Sequence, residues 1–296
     1  MNHRPEHQQI WRDTFPTMGF SHPFVLHGIL AISALHLAAP ADSAKEALLS
    51  RASAHHNVAL SSFSAALAQI SKDNCMAVFG FSGLTSLYAL ATISVQHEAV
   101  SDSGSVIDCL LHCVQLHRGS LAVIKLHWDH LVTTELKGML LIGQRERSKA
   151  PVPGLEDLDR LLTSEFAQEE EGAVFRDACA EAINLLQQAF NELHEAEADS
   201  IALTSVHIWL TTIPERFISL LASRHPVALV ILAYLATLLH LHDEQWWLRG
   251  WGRLLMRDVQ TALPAEMNIW LRWPRETIGS VTPSEPCPIA ASTLCS

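Results

Sequence analysis

The feature that most constrains this fold is an uninterrupted apolar run near the carboxyl end of the chain. Residues 226–239 carry no charged side chain and open with Pro226, which the first turn of a helix tolerates well. The run is too short to span a bilayer as a helix, which takes about 20 residues. A helix that is apolar on every face must be surrounded by other elements. The run therefore predicts a buried central helix over 226–241 and no membrane span.

The rest of the chain carries helix signals and almost no strand signals. Sustained alternation of apolar and polar residues is missing, as are Asn-Gly and Asp-Gly turns between β-branched runs. These patterns predict an all-α protein built from many helices. Apolar spacing and helix-start residues place helices over about 23–38, 44–70, 74–95, 105–128, 130–142, 200–210, 214–223 and 244–263.

Most of the chain is expected to form one domain. Apolar residues make up 49% of the sequence, which is enough for a sizeable core. A stretch near 143–156 mixes charges with prolines and predicts a solvent-exposed loop. The last residues, 280–296, contain three prolines and little to bury, which predicts a disordered tail. We therefore expect a single all-α domain over 1–279.

Charge and motif content exclude several kinds of chemistry. With 31 acidic and 20 basic residues the chain has a net charge of −11, which repels a phosphate backbone, so we expect no direct nucleic-acid binding. The sequence has no glycine-rich phosphate loop, no aspartate-rich magnesium motif and no cysteine spacing typical of a zinc site. No metal and no cofactor are predicted. The six cysteines lack the dense, regular spacing of a disulfide scaffold, so we expect reduced thiols. The amino terminus lacks the layout of a signal peptide, so we expect a location in the cytoplasm, the nucleus or both.

A tryptophan-rich segment, HDEQWWLRGWG (242–252), follows the apolar run. If it is helical, Trp247 and Trp251 share one face, while two glycines so close together indicate a kink or a close backbone approach. Aromatic walls beside a notch of small residues are typical of an apolar pocket. Core packing at the end of the domain is the alternative interpretation of the same pattern.

A polar corner at the end of the apolar run offers one acid/base group. His240 lies three and four residues before Asp243 and Glu244, a spacing that lets a carboxylate orient an imidazole on a helix. Such a set could transfer protons if the chain is an enzyme. The alternative is that the two carboxylates only cap the helix that follows.

Several segments together resemble one known family. Two helices that begin with His-Pro, a W-W-x-x-G-W-G motif and a later W-P-R-E motif occur in one chain. This combination is similar to the regulatory domain of fungal zinc-cluster transcription factors of the sterol uptake control protein type. The segments that carry the resemblance are HPFVLHGILAISALHLA (22–38), AHHNVALSSFSAAL (54–67), DNCMAVFGFSGL (73–84), HPVALVILAYLATLLHLHDEQWWLRGWGRLL (225–255) and IWLRWPRETIG (269–279).

The resemblance implies a multi-helix orthogonal bundle whose carboxyl-terminal helices enclose an apolar pocket for a sterol or a related terpenoid. It implies a homodimer, or a heterodimer with a full-length relative, and control of nuclear entry and transcription by the ligand. Trp270 and Trp273 would close the far side of the pocket. The remaining ligand-binding residues would be Tyr234, Leu238, Trp246, Trp247, Gly250, Trp251, Gly252 and Met256.

One departure from that family shapes the expected function. The family's DNA-binding part is a six-cysteine cluster that holds two zinc ions, and none of the six cysteines here has its C-x₂-C spacing. We therefore expect a ligand-binding regulatory domain without a DNA-binding module of its own. The first alternative is a cofactor-independent cyclase or isomerase of fungal secondary metabolism that uses the same pocket, and the second is a partner that dimerises with full-length relatives.

Overall fold

The computed structural model describes residues 9–41, 43–96, 105–137, 152–166, 170–195 and 201–280. Within these ranges every regular element is helical and no β-strand occurs, so the predicted all-α fold class is confirmed. The predicted tail at 280–296 lies almost entirely outside the described residues, as does most of the predicted loop near 143–156.

Among the described residues, the first half of the chain forms five α-helices, preceded by a π-helical turn over Ile10–Thr14. They are α1 (Phe15–Ser21), α2 (Pro23–Ala38), α3 (Lys45–Leu67), α4 (Cys75–Val95) and α5 (Val106–Leu131). Helix α5 is kinked at His127, whose backbone is not helical (φ −124°, ψ 21°). Helices α2 to α4 begin within one residue of the predicted positions. The helix predicted over 130–142 is wrong over 132–136, where the chain forms turns and a bend, and residues 138–142 lie outside the described residues.

The second half contributes seven α-helices and one 3₁₀ helix (Ala265–Leu271) among the described residues. The α-helices are α6 (Leu158–Glu165), α7 (Glu170–Glu195), α8 (Ile201–Thr212), α9 (Glu215–Ala222), α10 (Pro226–Leu241), α11 (Trp251–Ala262) and α12 (Arg272–Ser280). Helices α9 and α10 meet at 102°. Arg224 turns the chain between them with a left-handed backbone (φ 58°).

Helix α10 is the centre of the main core. Every residue from Val227 to His240 is buried, which confirms the central helix expected from the apolar run. It packs against α6, α7, α9, α11, α12 and the 3₁₀ helix, so neighbours enclose it on all sides. The loop prediction near 143–156 is wrong at Val152 and Leu155, which are buried because their apolar side chains join this core.

A second, smaller core lies at the amino-terminal end. It is built from α1 to α4, where Phe24, Phe63 and Phe81 form a cluster of rings with centroids 4.8–5.9 Å apart. Helix α4 contributes to both cores, with its first half in the smaller core and its second half in the main one. The two cores are therefore connected through one continuous helix.

Helix α4 is also long and apolar enough to cross a bilayer. Most of its most apolar window is buried inside the fold, as in the core helix of a globular protein. The bent pair of α9 and α10 is long and apolar enough to cross a bilayer only if the two helices are counted as one span. Length and composition alone therefore give weak evidence for a membrane segment here.

An aspartate from α11 caps the amino terminus of α5. Asp258 Oδ2 accepts hydrogen bonds from the backbone N–H groups of Val106 (2.6 Å) and Ile107 (3.3 Å) and from the hydroxyl of Ser105 (3.0 Å). The first N–H groups of a helix have no partner within the helix, and a negative charge there is favoured by the helix dipole. This contact joins two helices that lie about 150 residues apart in the sequence.

We predict that Asp258→Ala lowers the free energy of unfolding by about 1–2 kcal/mol, the usual cost of losing an N-terminal cap. Urea unfolding followed by circular dichroism would measure the loss. The matched control is Asp177→Ala, which removes an exposed carboxylate whose ion pair with its neighbour Arg176 is worth little. Equal stability of the two variants would contradict the capping role.

Candidate functional site

Helix α10 and the elements that follow it hold all the residues predicted to bind a ligand. Five of them, Tyr234, Leu238, Trp247, Trp251 and Met256, are buried in the main core. The side chains on α10 and α11 are turned inward by the apolar pattern of these helices, and Trp247 is buried in the turns between them. These segments therefore form a continuous apolar interior with few polar atoms.

Tyr234 faces the carboxyl-terminal helix α12. Its ring stacks on Trp273 with centroids 5.6 Å apart, and Trp273 in turn contacts Phe190 of α7 edge to face at 5.7 Å. Burial, with the nearby carboxylate of Asp157, raises the pKa of the Tyr234 phenol, so the phenol stays neutral. Trp273, which the resemblance places at the far side of a pocket, lies against Tyr234. Trp270 is half-buried and packs against the same core.

The opposite side of α10 is in close contact with α11. A Cβ atom added to Gly252 would lie 2.5 Å from the carbonyl oxygen of Ala236 and 2.6 Å from Cβ of His240. Any side chain at this position would collide with the backbone of α10. The glycine therefore permits the close backbone approach that the sequence predicted, and the space in front of it is filled by α10.

The segment between α10 and α11 is not helical, so the helix predicted to begin at Glu244 is wrong by seven residues. Gly250 has a left-handed backbone (φ 82°), which residues with a side chain rarely adopt. Its N–H donates to Asp243 Oδ1 at 2.7 Å, closing a loop of turns. Asp243 thus makes a bond expected from the interpretation in which these carboxylates cap the next helix. Helix α11 begins only at Trp251.

Because the segment is a set of turns, its tryptophans point to different neighbours. Trp246 contacts His36 of α2 edge to face, with ring centroids 4.9 Å apart. Trp251 donates its indole N–H to the carbonyl oxygen of Leu90 in α4 at 3.0 Å. The two indoles therefore attach the carboxyl-terminal helices to the amino-terminal ones. The shared helix face expected for Trp247 and Trp251 does not exist, since Trp247 precedes the helix.

The predicted acid/base set is not joined by hydrogen bonds. Neither ring nitrogen of His240 has a hydrogen-bond partner among the described residues, and Glu244 is exposed. Burial lowers the pKa of His240, while Asp243 acts to raise it and Arg253 to lower it. The imidazole is therefore neutral and nearly inaccessible, with a relative exposure of 4%.

Sequence reasoning missed His242, two residues further along. Its Nε2 is also buried without a hydrogen-bond partner in the described structure, and burial lowers its pKa to about 4. The signal was present in the sequence, because His240 and His242 both follow the apolar run directly. The end of α10 therefore carries two neutral imidazoles in an apolar environment.

Metal-binding and thiol chemistry find little support in the described part of the chain. No group of three or more His, Cys, Asp or Glu residues there could hold a metal ion. The four cysteines within it form no disulfide with one another, and burial raises the pKa of Cys113 and Cys179 to about 12. These two thiols are therefore protonated and poor nucleophiles at neutral pH.

Comparison with known proteins identifies the family. Residues 1–149 match the family model of the fungal specific transcription factor domain. The match covers half of the chain, so this chain belongs to that family. It does not include the carboxyl-terminal segments that hold the residues discussed above.

A longer protein shows similarity over nearly the whole chain. It is a protein of Gibberella zeae (strain ATCC MYA-4620 / CBS 123657 / FGSC 9075 / NRRL 31084 / PH-1) named Zn(2)-C6 fungal-type transcription factor, and it is 25% identical over 295 residues. The alignment covers 93% of this chain and 57% of that protein, so this chain spans little more than half of the relative's length. No solved structure matches this chain.

We predict opposite effects for alanine at two helical glycines. Gly252→Ala should lower the free energy of unfolding by about 1–3 kcal/mol, because the new methyl group meets the backbone of α10. Gly83→Ala in α4 should raise it by up to about 1 kcal/mol, because a Cβ there meets nothing within 4 Å and alanine favours the helix. Thermal unfolding of both variants beside the wild type would measure the difference in sign. A Gly252→Ala protein as stable as wild type would contradict the close packing of α10 and α11.

We also predict that the protein loses stability in mild acid through His242. Its folded pKa of about 4 lies below the value of 6.5 for an unfolded histidine, so the unfolded state binds more protons between these values. The stabilising contribution is complete above pH 6.5 and is lost as the pH falls towards 4, by on the order of 3 kcal/mol in total. Urea unfolding between pH 7.5 and 4.5 would show a shallower pH dependence for His242→Asn than for wild type. The exposed His112→Asn variant serves as the control, and a His242→Asn profile parallel to wild type would exclude this role.

Proposed function

We propose that this fungal transcription factor domain is a regulatory module that binds a hydrophobic small molecule, a sterol or another terpenoid, beside α10 and α11. The ligand would control transcription, and the protein would act in the nucleus. This chain would form the ligand-binding part of a transcription factor, and we assign no DNA contact to its residues. Because the relative from Gibberella zeae is longer, DNA binding by a full-length protein would rest with other segments.

The observation that carries the proposal is the pair of unpartnered imidazoles at the end of α10. His240 has both ring nitrogens buried without a hydrogen bond, and His242 has one. A buried polar group left without a partner costs about 1–3 kcal/mol. A ligand hydroxyl, which both donates and accepts, would supply a missing bond and recover part of this cost. An apolar molecule with one polar end therefore fits this region.

Apolar side chains of α10, of α11 and of the turn between them suit the body of such a molecule. Leu238 and Met256 are buried on these helices and Trp247 in the turn, while Tyr234 is buried on the side of α10 that faces α12. Large aromatic side chains with few polar groups are typical of the walls of ligand pockets. The indole contacts to α2 and α4 would transmit a change at the ligand to the amino-terminal helices, because Trp246 and Trp251 connect the two regions.

Tryptophan fluorescence tests binding directly. Ergosterol and farnesol, titrated separately from low micromolar concentration, should give a saturable quench or spectral shift with at least one of them. Trp247→Phe should lose most of that change, because its indole lies in the proposed wall. The matched control is Trp11→Phe, which removes an indole that stacks on Phe15 at the far amino-terminal end. The absence of a saturable change with sterols and terpenoids alike would refute the proposal.

A second test uses His240, for which we expect stability and ligand affinity to change in different ways. In His240→Leu the ligand-free protein should be as stable as wild type or more stable, because an unpaired polar group is replaced by an apolar one. The variant should nevertheless lose about tenfold in affinity for the hydroxyl-bearing ligand, equivalent to about 1.4 kcal/mol. Affinity for the matched hydrocarbon without the hydroxyl should stay unchanged. An equal loss for both ligands would show that His240 only shapes the core.

A further inference from the structure

The outer surface formed by α2 and α3 is almost free of charge. Residues 14–41 and 52–71 contain no Asp, Glu, Lys or Arg, although the chain as a whole has a net charge of −11. Lys45, Glu46 and Arg51 are confined to the first two turns of α3. We refer to the exposed residues of α2, and of α3 beyond Arg51, as the uncharged face.

Large apolar side chains are exposed on the uncharged face. Leu30 and Leu37, seven residues apart, lie on the same side of α2 and are 40% and 59% exposed. Ser33 lies between them on that side and is exposed as well. On α3, Val58 is 49% exposed among small alanine and serine residues. Contiguous exposed apolar surface is typical of a binding interface.

Three serine hydroxyls on the uncharged face are hydrogen-bonded within their own helices. Ser33 donates to the carbonyl oxygen of Ile29 at 2.8 Å, and Ser64 donates to that of Leu60 at 2.9 Å. Ser62 makes the same kind of bond to the carbonyl four residues earlier, at 3.4 Å. Because these three donors are satisfied, covering them with an apolar surface leaves their hydroxyl hydrogens paired. Burying these three serines therefore has little polar cost.

We propose that the uncharged face binds the same face of a second copy of this chain. Two copies that each carry −11 repel one another across most relative orientations. Contact through the uncharged face keeps the acidic surfaces apart and adds no like-charge pair to the interface. A lipid surface would need basic residues around the apolar ones, and this face has none.

The dimensions of the face suit a symmetric dimer. Helix α2 has 16 residues, which corresponds to a length of about 24 Å at 1.5 Å per residue. Two neighbouring helices, each about 10 Å across, give a projected area of about 500 Å². Because side chains protrude from the helices, the accessible area of the face is larger than its projected area and approaches the roughly 800 Å² per partner of a stable interface. A two-fold axis near Ser33 would place Leu30 of one copy close to Leu37 of the other.

Analytical ultracentrifugation of the full chain at about 1–100 µM tests the interface. Wild type should sediment at twice the chain mass of 32.7 kDa at the upper concentrations. Leu37→Asp should raise the dissociation constant at least tenfold, because each interface would then bury two carboxylates. Ile269→Asp places the same charge at a residue that is 76% exposed on the 3₁₀ helix, and it should dimerise like wild type.

A mixing experiment distinguishes this face from a general effect of charge. Leu37→Asp and Leu30→Lys should each be monomeric alone but should form a mixed dimer together, since the carboxylate at position 37 of one copy then meets the ammonium at position 30 of the other. Circular dichroism should show that both variants stay folded. A wild type that is monomeric at every concentration would overturn the proposal. So would a dimer that survives in Leu37→Asp, or that is lost equally in Ile269→Asp.

Discussion

The enclosure of α10 is the constraint on which the rest of this structure depends. A helix with no polar face between Val227 and His240 has no stable place at a surface, since each exposed apolar side chain would cost about 1.5–3 kcal/mol of transfer free energy. The elements that follow and precede it are therefore arranged around it, including the short helices α6, α9 and α12. The same enclosure buries the polar end of the helix and so creates the two unpartnered imidazoles. The stability of the core and the candidate site thus have one physical origin.

A few long-range polar contacts fix the positions of the elements that enclose α10. The indole of Trp251 reaches the carbonyl of Leu90, the hydroxyl of Ser94 donates to the carbonyl of Arg249 at 2.9 Å, and Asp258 caps α5. All three run from the segment around α11 to helices of the first half of the chain. Each involves a buried or half-buried group, so losing one partner would leave the other unpaired. The family match to residues 1–149 and the proposed ligand site therefore belong to regions in direct contact.

The sequence predicts the helices well and the candidate site only in part. The start of α10 at Pro226 and its burial follow from local apolar composition, which needs no knowledge of distant residues. The pair Gly250 and Gly252 indicated a kink or a close backbone approach, and Gly252 lies against the backbone of α10. The turns before α11 could not be predicted, because the bond from Gly250 to Asp243 competes with an equally plausible helical continuation. The separate directions of Trp246 and Trp251 depend on partners in α2 and α4, which no local periodicity encodes.

The turns between α10 and α11 have a consequence for motion. Their backbone bonds join residues three apart, as in Gln245 to His242 and Leu248 to Gln245, both 2.9 Å long, and they do not form a continuous helical ladder. Opening such a stretch breaks few hydrogen bonds at a time, so its free energy lies well below that of global unfolding. Amide hydrogens here should exchange with solvent earlier than those of α10. Sub-global opening of this segment would give an apolar molecule a route to the buried end of α10 while both cores stay intact.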